Sequence, residues 1–498
     1  MKPTSQDLNR AKFLYLYIFF VFLLLNKLII SQYISEKFYS IAFASFAAAG
    51  CLLLLIDLLT HRDVLRLPYG FLLLLFLVIC GISSIINVEY GLTSNIKTLV
   101  WTAIQMFLLT TVAIQKDKNQ IRVQIRILGE TLLIIWGISV LWSLGQFMLL
   151  YGKRVICAGG YSFREGLIEG RLFGCFTDPN YAAVISIVAI IYAVWAMLQK
   201  TTRISMKLYY GVQIVSQFLY IILSGSRTAS VVMAAVFVAM PVLFATMPFW
   251  KGKFAWLKVI SSLCAVLIGI VAFFSVIGEI KSGLSNFTTY LASTIQNGTE
   301  FDNLDSVIYA PNDNEVDYLA RPDVSNASDI SNHRTEIWHN ALQIFAEKPV
   351  FGTSPRNHLQ VGKALFGDDM FIVSKGYGVH NGFLAVLVCT GIAGGSVMLL
   401  WYVMSVICSL RYLFRNINHP DDSYYLMLLL ISIILCISIA SIPLMGIFFT
   451  NSVIEVIFWS CVGYLYSILL KYEPDLLPEN SVLQRVFNKI VLPMHKKI

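Results

Sequence analysis

The chain has 498 residues, of which 57% are apolar and only 13% charged, with a formal net charge of +8. Ordinary soluble domains carry roughly 25% charged residues, and one soluble core stops growing near roughly 250 to 300 residues. Apolar runs such as 13–30 and 70–86 are longer than any strand, so a soluble globular protein is excluded and the apolar excess must face lipid.

At about 20 residues per crossing, the chain is predicted to form twelve helical spans. They lie at 13–31, 40–60, 70–88, 98–115, 128–150, 180–198, 208–224, 227–247, 257–278, 383–410, 424–448 and 453–470. The expected fold is therefore an all-α polytopic membrane protein of about 12 transmembrane helices, with one long extracytoplasmic loop between the ninth and tenth. Residues 1–278 hold spans one to nine with an outer loop at 151–178, and 279–379 form the long loop. Spans ten to twelve occupy 380–470, and 471–498 make a cytoplasmic tail.

Cytoplasmic segments carry the excess of Lys and Arg. The N-terminus, the even-numbered short connections and the C-terminus together hold 22 of the 37 basic residues, which puts both termini in the cytoplasm. The positive charge is thus mostly topological, and nothing in it calls for nucleic acid. The first span is followed by Ser31-Gln-Tyr-Ile-Ser-Glu rather than a small-residue cleavage site, so it reads as an anchor. In the tail, Val482, Leu483, Val486, Phe487, Ile490 and Val491 recur at helical spacing around Arg485 and Lys489, which suits the inner interface. Cys157 and Cys175 share the 151–178 loop and are within reach of a disulfide, but no cysteine spacing resembles a zinc site.

The long loop, 279–379, has thirteen carboxylates and seven cations. Its first half, 297–329, is rich in Asn, Asp and Ser and reads as an irregular flap. Its second half predicts a surface helix near 334–347, with Ile337, Trp338, Ala341, Leu342 and Phe345 on one face. Pro349 and Gly352 end it.

Four constellations lie beside these loops. Arg171 to Asn180 reads RLFGCFTDPN; Asp178 as N-cap and Pro179 at the first helical position explain the last three residues as a helix start, but not Arg171. Ser224-Gly-Ser-Arg227 is a tight turn in which Ser226 can cap the next helix, leaving Arg227 in a first turn where the macrodipole disfavours a cation. A cation there calls for an anionic partner, and free amides at the same helix start supply more donors to an anion; a loop carboxylate or a lipid phosphate would serve as well as a diphosphate. Arg334 and Trp338 are four apart and share a helix face. His380-Asn381 stands where the long loop re-enters the membrane, ahead of Gly391-Ile-Ala-Gly-Gly395, a small-residue patch expected to admit another helix. A boundary histidine is commonly just interfacial, yet it can accept a proton near neutral pH.

On Gly174 to Asn180, Ser224 to Arg227, Arg334 with Trp338, Pro349-Val-Phe-Gly352, and His380-Asn381 with Gly391 and Gly394, the chain resembles the O-antigen ligase and polysaccharide polymerase superfamily of bacterial membrane glycosyltransferases. The likeness spans about residues 170–400, with the motifs in the family's order and at its topological positions. It departs in having Gly395 where Thr or Tyr often follows the second glycine, which leaves ligase against polymerase open. The resemblance implies a GT-C-like architecture in the bacterial cytoplasmic membrane. It also implies transfer of a glycan from an undecaprenyl diphosphate carrier to an acceptor hydroxyl on the outer face, with no metal or other cofactor, and other polysaccharide-assembly membrane proteins as partners.

The residue chemistry agrees with that reading. A diphosphate leaving group needs cations, for which Arg227 and Arg334 are the candidates with Arg171 behind them, and His380 is the candidate base. Asp178, Asn180, Ser226, Trp338 and Asn381 are expected to contact substrate. Asp368-Asp369 is read as solvated charge rather than a metal site. Polymerisation of surface repeat units is slightly favoured over ligation to a lipid A core. A lipid-linked sugar flippase is the rival from another class, but Lys27, Asp57, Glu130 and Glu455 lie near span ends and no six-plus-six repeat is evident. A non-enzymatic assembly scaffold would leave Arg227 and His380 unused.

Overall fold

In lipid a backbone must satisfy its own polar groups, which leaves the helix as the element that each apolar run can form. The computed structural model describes residues 4–114, 116–156, 162–250, 252, 254–298, 319, 333–444 and 446–477, and it is mostly α-helix. The helices in chain order are α1 (Ser5–Leu25), α2 (Glu36–Thr60), α3 (Gly70–Ile86), α4 (Thr93–Ala103), α5 (Lys118–Met148), α6 (Pro179–Met197), α7 (Ile204–Leu223), α8 (Arg227–Ala234), α9 (Met240–Thr246), α10 (Ala255–Gly298), α11 (Arg334–Glu347), α12 (His358–Phe366), α13 (Phe371–Ser374), α14 (Gly382–Asn416), α15 (Asp422–Ala440) and α16 (Val453–Tyr472).

Among the described residues, ten helices are long and apolar enough to cross a membrane, with Arg227–Phe249 counted as one. The third predicted span is the 17-residue α3. The fourth is α4 continued by a π-helical turn, Ile104–Leu109, so the α-helical part is only 11 residues long. This is a multi-pass, all-α membrane protein. Cys157, residues 482–491, and 299–332 apart from Leu319 lie outside the described residues, so the disulfide, the tail helix and most of the flap lie there too.

The chain divides into two compact units: Met1–Phe20, Lys37–Ile125 and Ser331–Ile498 form one, and Val21–Glu36 with Arg126–Ile330 the other. In the first, α14 packs along α3, α15 along α16, and α11 on α14. Ile337, Ala341 and Ile344 of α11 bury against Val361, Ile372, Ala385 and Val388. Leu342, expected on this face, is 46% exposed, and Ile344 takes its place.

Helix α14 is broken at Gly391 (φ +65°, ψ −167°). Its interrupted ladder is completed by the turn that follows α11. Ile392 and Ala393 N–H donate to Pro349 and Val350 carbonyls at 2.8 and 3.1 Å, while Thr353 and Ser354 N–H donate to Val388 and Cys389 carbonyls at 2.9 Å each. Each such group left unpaired at membrane depth would cost several kcal/mol. The glycine patch expected to admit a helix therefore admits a turn of backbone instead.

Near the start of α1, Lys12 is fully buried, with its ammonium 2.7 Å from Asp57, 3.4 Å from Asp63 and 3.4 Å from the Thr111 hydroxyl. The cation counted as topological charge is an internal ion-pair member.

In the second unit α6 packs along α7. Residues 151–178, expected as a loop, contain a three-stranded antiparallel sheet: β1 (Gly152–Ile156), β2 (Ser162–Ile168) and β3 (Arg171–Gly174), with Arg154 opposite Arg164 and a bulge between Gly166 and Leu167. Glu169 binds both Arg154 and Arg164, which offsets the like-charge pairing. Helix α10 has 44 residues, about 66 Å at 1.5 Å per residue, so 279–298, read as loop, continues the helix of the ninth span. No proline interrupts it there.

Candidate functional site

In the second unit the motif residues converge on Arg171. Its Nε donates to the Ser224 carbonyl and its Nη2 to Asn180 Oδ1, both at 2.8 Å, and its guanidinium stands 5.6 Å from the Phe173 ring centre. Strand β3, the start of α6 and the end of α7 are thereby tied by one side chain. Asp178 does cap α6, accepting from the Asn180 and Tyr181 N–H groups at 2.7 and 3.4 Å. Ser226 caps α8, accepting from Ala229 N–H at 3.3 Å. Arg227 is the first residue of α8 and half-buried.

Sequence reading passed over Lys27 here. Its carbonyl accepts from the Thr177 N–H and hydroxyl at 3.0 and 3.2 Å, and its ammonium lies 5.0 Å from the Tyr181 ring centre. This brings a further cation to the Thr177–Asn180 motif. The signal was a lone Lys at the end of an apolar run, which on its own indicates only a boundary.

In the first unit the motif residues converge on His380. Its backbone is left-handed (φ +50°), a conformation in which His is enriched among non-glycine residues. Trp338 Nε1 donates to the His380 carbonyl at 3.4 Å, and the Tyr377 ring meets the imidazole edge-on at 5.9 Å. Asn381 caps α14, accepting from Phe383 and Leu384 N–H at 3.1 and 3.0 Å. Gly382 N–H donates to the Ser441 and Leu444 carbonyls, so the backbone on which His380 sits is held on both sides. Arg334 opens α11 and is half-buried, preceded by His333, which lies 3.5 Å from Glu336.

Arg227 and Arg334 thus share a local design. Each is the first residue of a helix, where a cation is disfavoured by about 0.3 to 1 kcal/mol and an anion favoured by as much. Free amides and a guanidinium at one place make a receptor for phosphate oxygens.

The turn between α11 and α12 is tied to α3 and α4 by residues with no motif signal. Asn87 Nδ2 donates to the Gly352 carbonyl at 2.9 Å, Ser83 to the Cys389 carbonyl at 3.0 Å, and Asn357 to the Asn87 and Gly91 carbonyls at 3.2 and 3.0 Å. Burial pushes the His358 imidazole down to about 4, and the Arg356 charge adds to this. Among the described residues no group of three or more His, Cys, Asp and Glu side chains is placed to hold a metal ion.

Residues 212–400 match the family model for O-antigen ligase (Wzy_C). This match supports the resemblance to the O-antigen ligase and polymerase superfamily. The match takes in Ser224–Arg227, Arg334, Trp338, Pro349–Gly352, His380, Asn381, Gly391 and Gly394; it begins after Arg171, Asp178 and Asn180. It covers less than half of the chain. The match supports, in general terms, a membrane glycosyltransferase of the ligase and polymerase type, a family that acts on a lipid-linked glycan and an acceptor. No curated protein matches the chain.

Proposed function

We propose that this protein transfers a glycan from an undecaprenyl diphosphate carrier to a sugar hydroxyl on the outer face of the bacterial cytoplasmic membrane, extending a surface polysaccharide by repeat units. The observation that carries this reading is the O-antigen ligase domain at 212–400, which contains His380 and two arginines at helix starts.

In the first unit His380 takes the acceptor proton as the hydroxyl attacks the anomeric carbon, a contribution typically worth about a hundredfold to ten-thousandfold. The bond from that carbon to the diphosphate oxygen breaks as the new glycosidic bond forms. Arg334, in the same unit, stabilises charge on the departing diphosphate; in the second unit Arg227, at the start of α8, is by itself a candidate cation for phosphate oxygens. Arg171 organises the Asn180 and Ser224 segments beside Arg227. Trp338 and Asn381 place His380, and no metal ion takes part.

The description of the matched family favours a second reading, ligation of a finished glycan to a final acceptor such as a lipid A core. Both are tested by reconstituting the full chain in nanodiscs with a purified lipid-linked repeat unit and excess chelator. Release of undecaprenyl diphosphate with a ladder of products is expected. Release only when a separate acceptor is added would establish ligation. Movement of the donor between leaflets with no release would show a flippase, and loss of release in chelator would overturn metal independence.

A further inference from the structure

The start of α4 and the turn between α11 and α12 carry three cations that the transfer reaction does not use. Arg356 is anchored at its root: its N–H donates to Asn95 Oδ1 at 2.9 Å and its Nε to the Thr98 hydroxyl at 3.1 Å. This fixes the guanidinium root of a residue that is exposed. Lys97 lies between Asn95 and Thr98 on α4 and is exposed. Lys348 stands 5.7 Å from the Tyr90 ring centre. Among the described residues none of the three forms an ion pair, whereas Lys363 on the same segment is paired with Asp368 at 2.8 Å. The carboxylate nearest in sequence to Tyr90, Glu89, is exposed.

Beside these cations runs an exposed apolar stripe. Val88, Leu92 and Ile96 are 53%, 37% and 49% exposed, and Val350, on the turn that leads to Arg356, is 57% exposed. In a multi-pass membrane protein such a stripe faces acyl chains, and cations with an aromatic ring at its end stand at headgroup depth. We propose that Lys97, Lys348 and Arg356 seat the phosphate of an anionic phospholipid. Apolar contact along Val88, Leu92 and Ile96 receives its chain, and Arg356 supplies planar, directional donors to the phosphate. Because Arg356 belongs to the turn that completes the broken ladder of α14, a bound lipid holds that turn in place. This site stands apart from the glycosyl-transfer reading and survives its failure.

The test uses the full chain, purified in mild detergent and mixed with phosphatidylglycerol, phosphatidylcholine or undecaprenyl phosphate, with retained lipid counted by native mass spectrometry. Phosphatidylglycerol is expected to be retained and to raise the thermal midpoint, and phosphatidylcholine is not. Each cation removed should lower retention about fivefold, the equivalent of about 1 kcal/mol per basic residue at an anionic surface. The Lys97→Gln/Lys348→Gln variant should therefore retain about twenty-five-fold less while unfolding at the wild-type midpoint in detergent alone. That variant leaves the Asn95 and Thr98 contacts intact, so the test stands even where Arg356→Gln fails to fold. Equal retention of phosphatidylcholine, or unchanged phosphatidylglycerol retention in the double variant, would overturn the proposal. Displacement of phosphatidylglycerol by an equal concentration of undecaprenyl phosphate would also overturn it and give the seat to the carrier.

Discussion

Arg171 donates from Nε to the carbonyl of Ser224 at 2.8 Å, joining positions 53 residues apart. Its Nη2 meanwhile holds Asn180. Lysine keeps the charge but has one nitrogen in place of the planar fork whose Nε and Nη2 each reach a separate acceptor. Arg171→Lys is expected to lose one charge-assisted hydrogen bond, about 1.5 to 3 kcal/mol, and to slow glycan transfer at least about tenfold. Transfer assays on protein normalised for folded yield check this; a wild-type rate would remove Arg171 from the site.

Gly391 sits where a side chain has no room. A Cβ there would lie 2.2 Å from the Val350 carbonyl oxygen, and at Gly352 one would lie 2.5 Å from the Cys389 carbonyl carbon. Both residues have positive φ, where Ala is strained by about 1 to 2 kcal/mol before any overlap. Gly391→Ala is expected to sharply reduce the monodisperse fraction after extraction, whereas Gly81→Ala, which meets nothing within 4 Å, should behave as wild type. Size-exclusion profiles of the two variants decide it.

Lys12 holds two buried carboxylates. Removing one partner of a buried ion pair costs about 3 to 5 kcal/mol, because the other charge is left stranded. Lys12→Met should therefore lower the thermal midpoint strongly. Lys12→Met/Asp57→Asn should recover part of the loss, a coupling that a thermal double-mutant cycle measures.

His358 makes the loop segment acid-sensitive. Burial holds its imidazole at about 4 in the folded protein, against about 6.5 in an unfolded chain. Between those values the unfolded state takes up a proton that the folded state refuses. Stability therefore falls as the pH drops from about 6.5 toward 4, by up to about 1.4 kcal/mol per unit, and is unaffected above that window. His358→Phe should flatten this part of the profile. Limited proteolysis of the 334–379 segment across pH, wild type against variant, reads the difference.

Hydropathy made the helices and several motif positions legible. Asp178 and Ser226 cap the helices they were expected to cap, because capping is local chemistry that shows in the residue types. The sheet at 152–174 was not visible, since its strands are short and Gly-rich and alternate only weakly. The interlock of Pro349–Ser354 with Gly391 was invisible for another reason. Its glycines stood out, but what they make room for is set by backbone some forty residues away. Lys12 shows the limit of charge counting, for a lysine near a span end counts as topology whether it meets headgroups or two buried aspartates.

The central claim is that His380 accepts the acceptor proton in a transfer that releases undecaprenyl diphosphate. Its most direct test is the single-turnover release rate from a purified lipid-linked glycan by His380→Ala in nanodiscs, with the thermal midpoint measured on the same sample. A fall of about a hundredfold to ten-thousandfold at an unchanged midpoint is the expected result. Release at the wild-type rate would contradict the account.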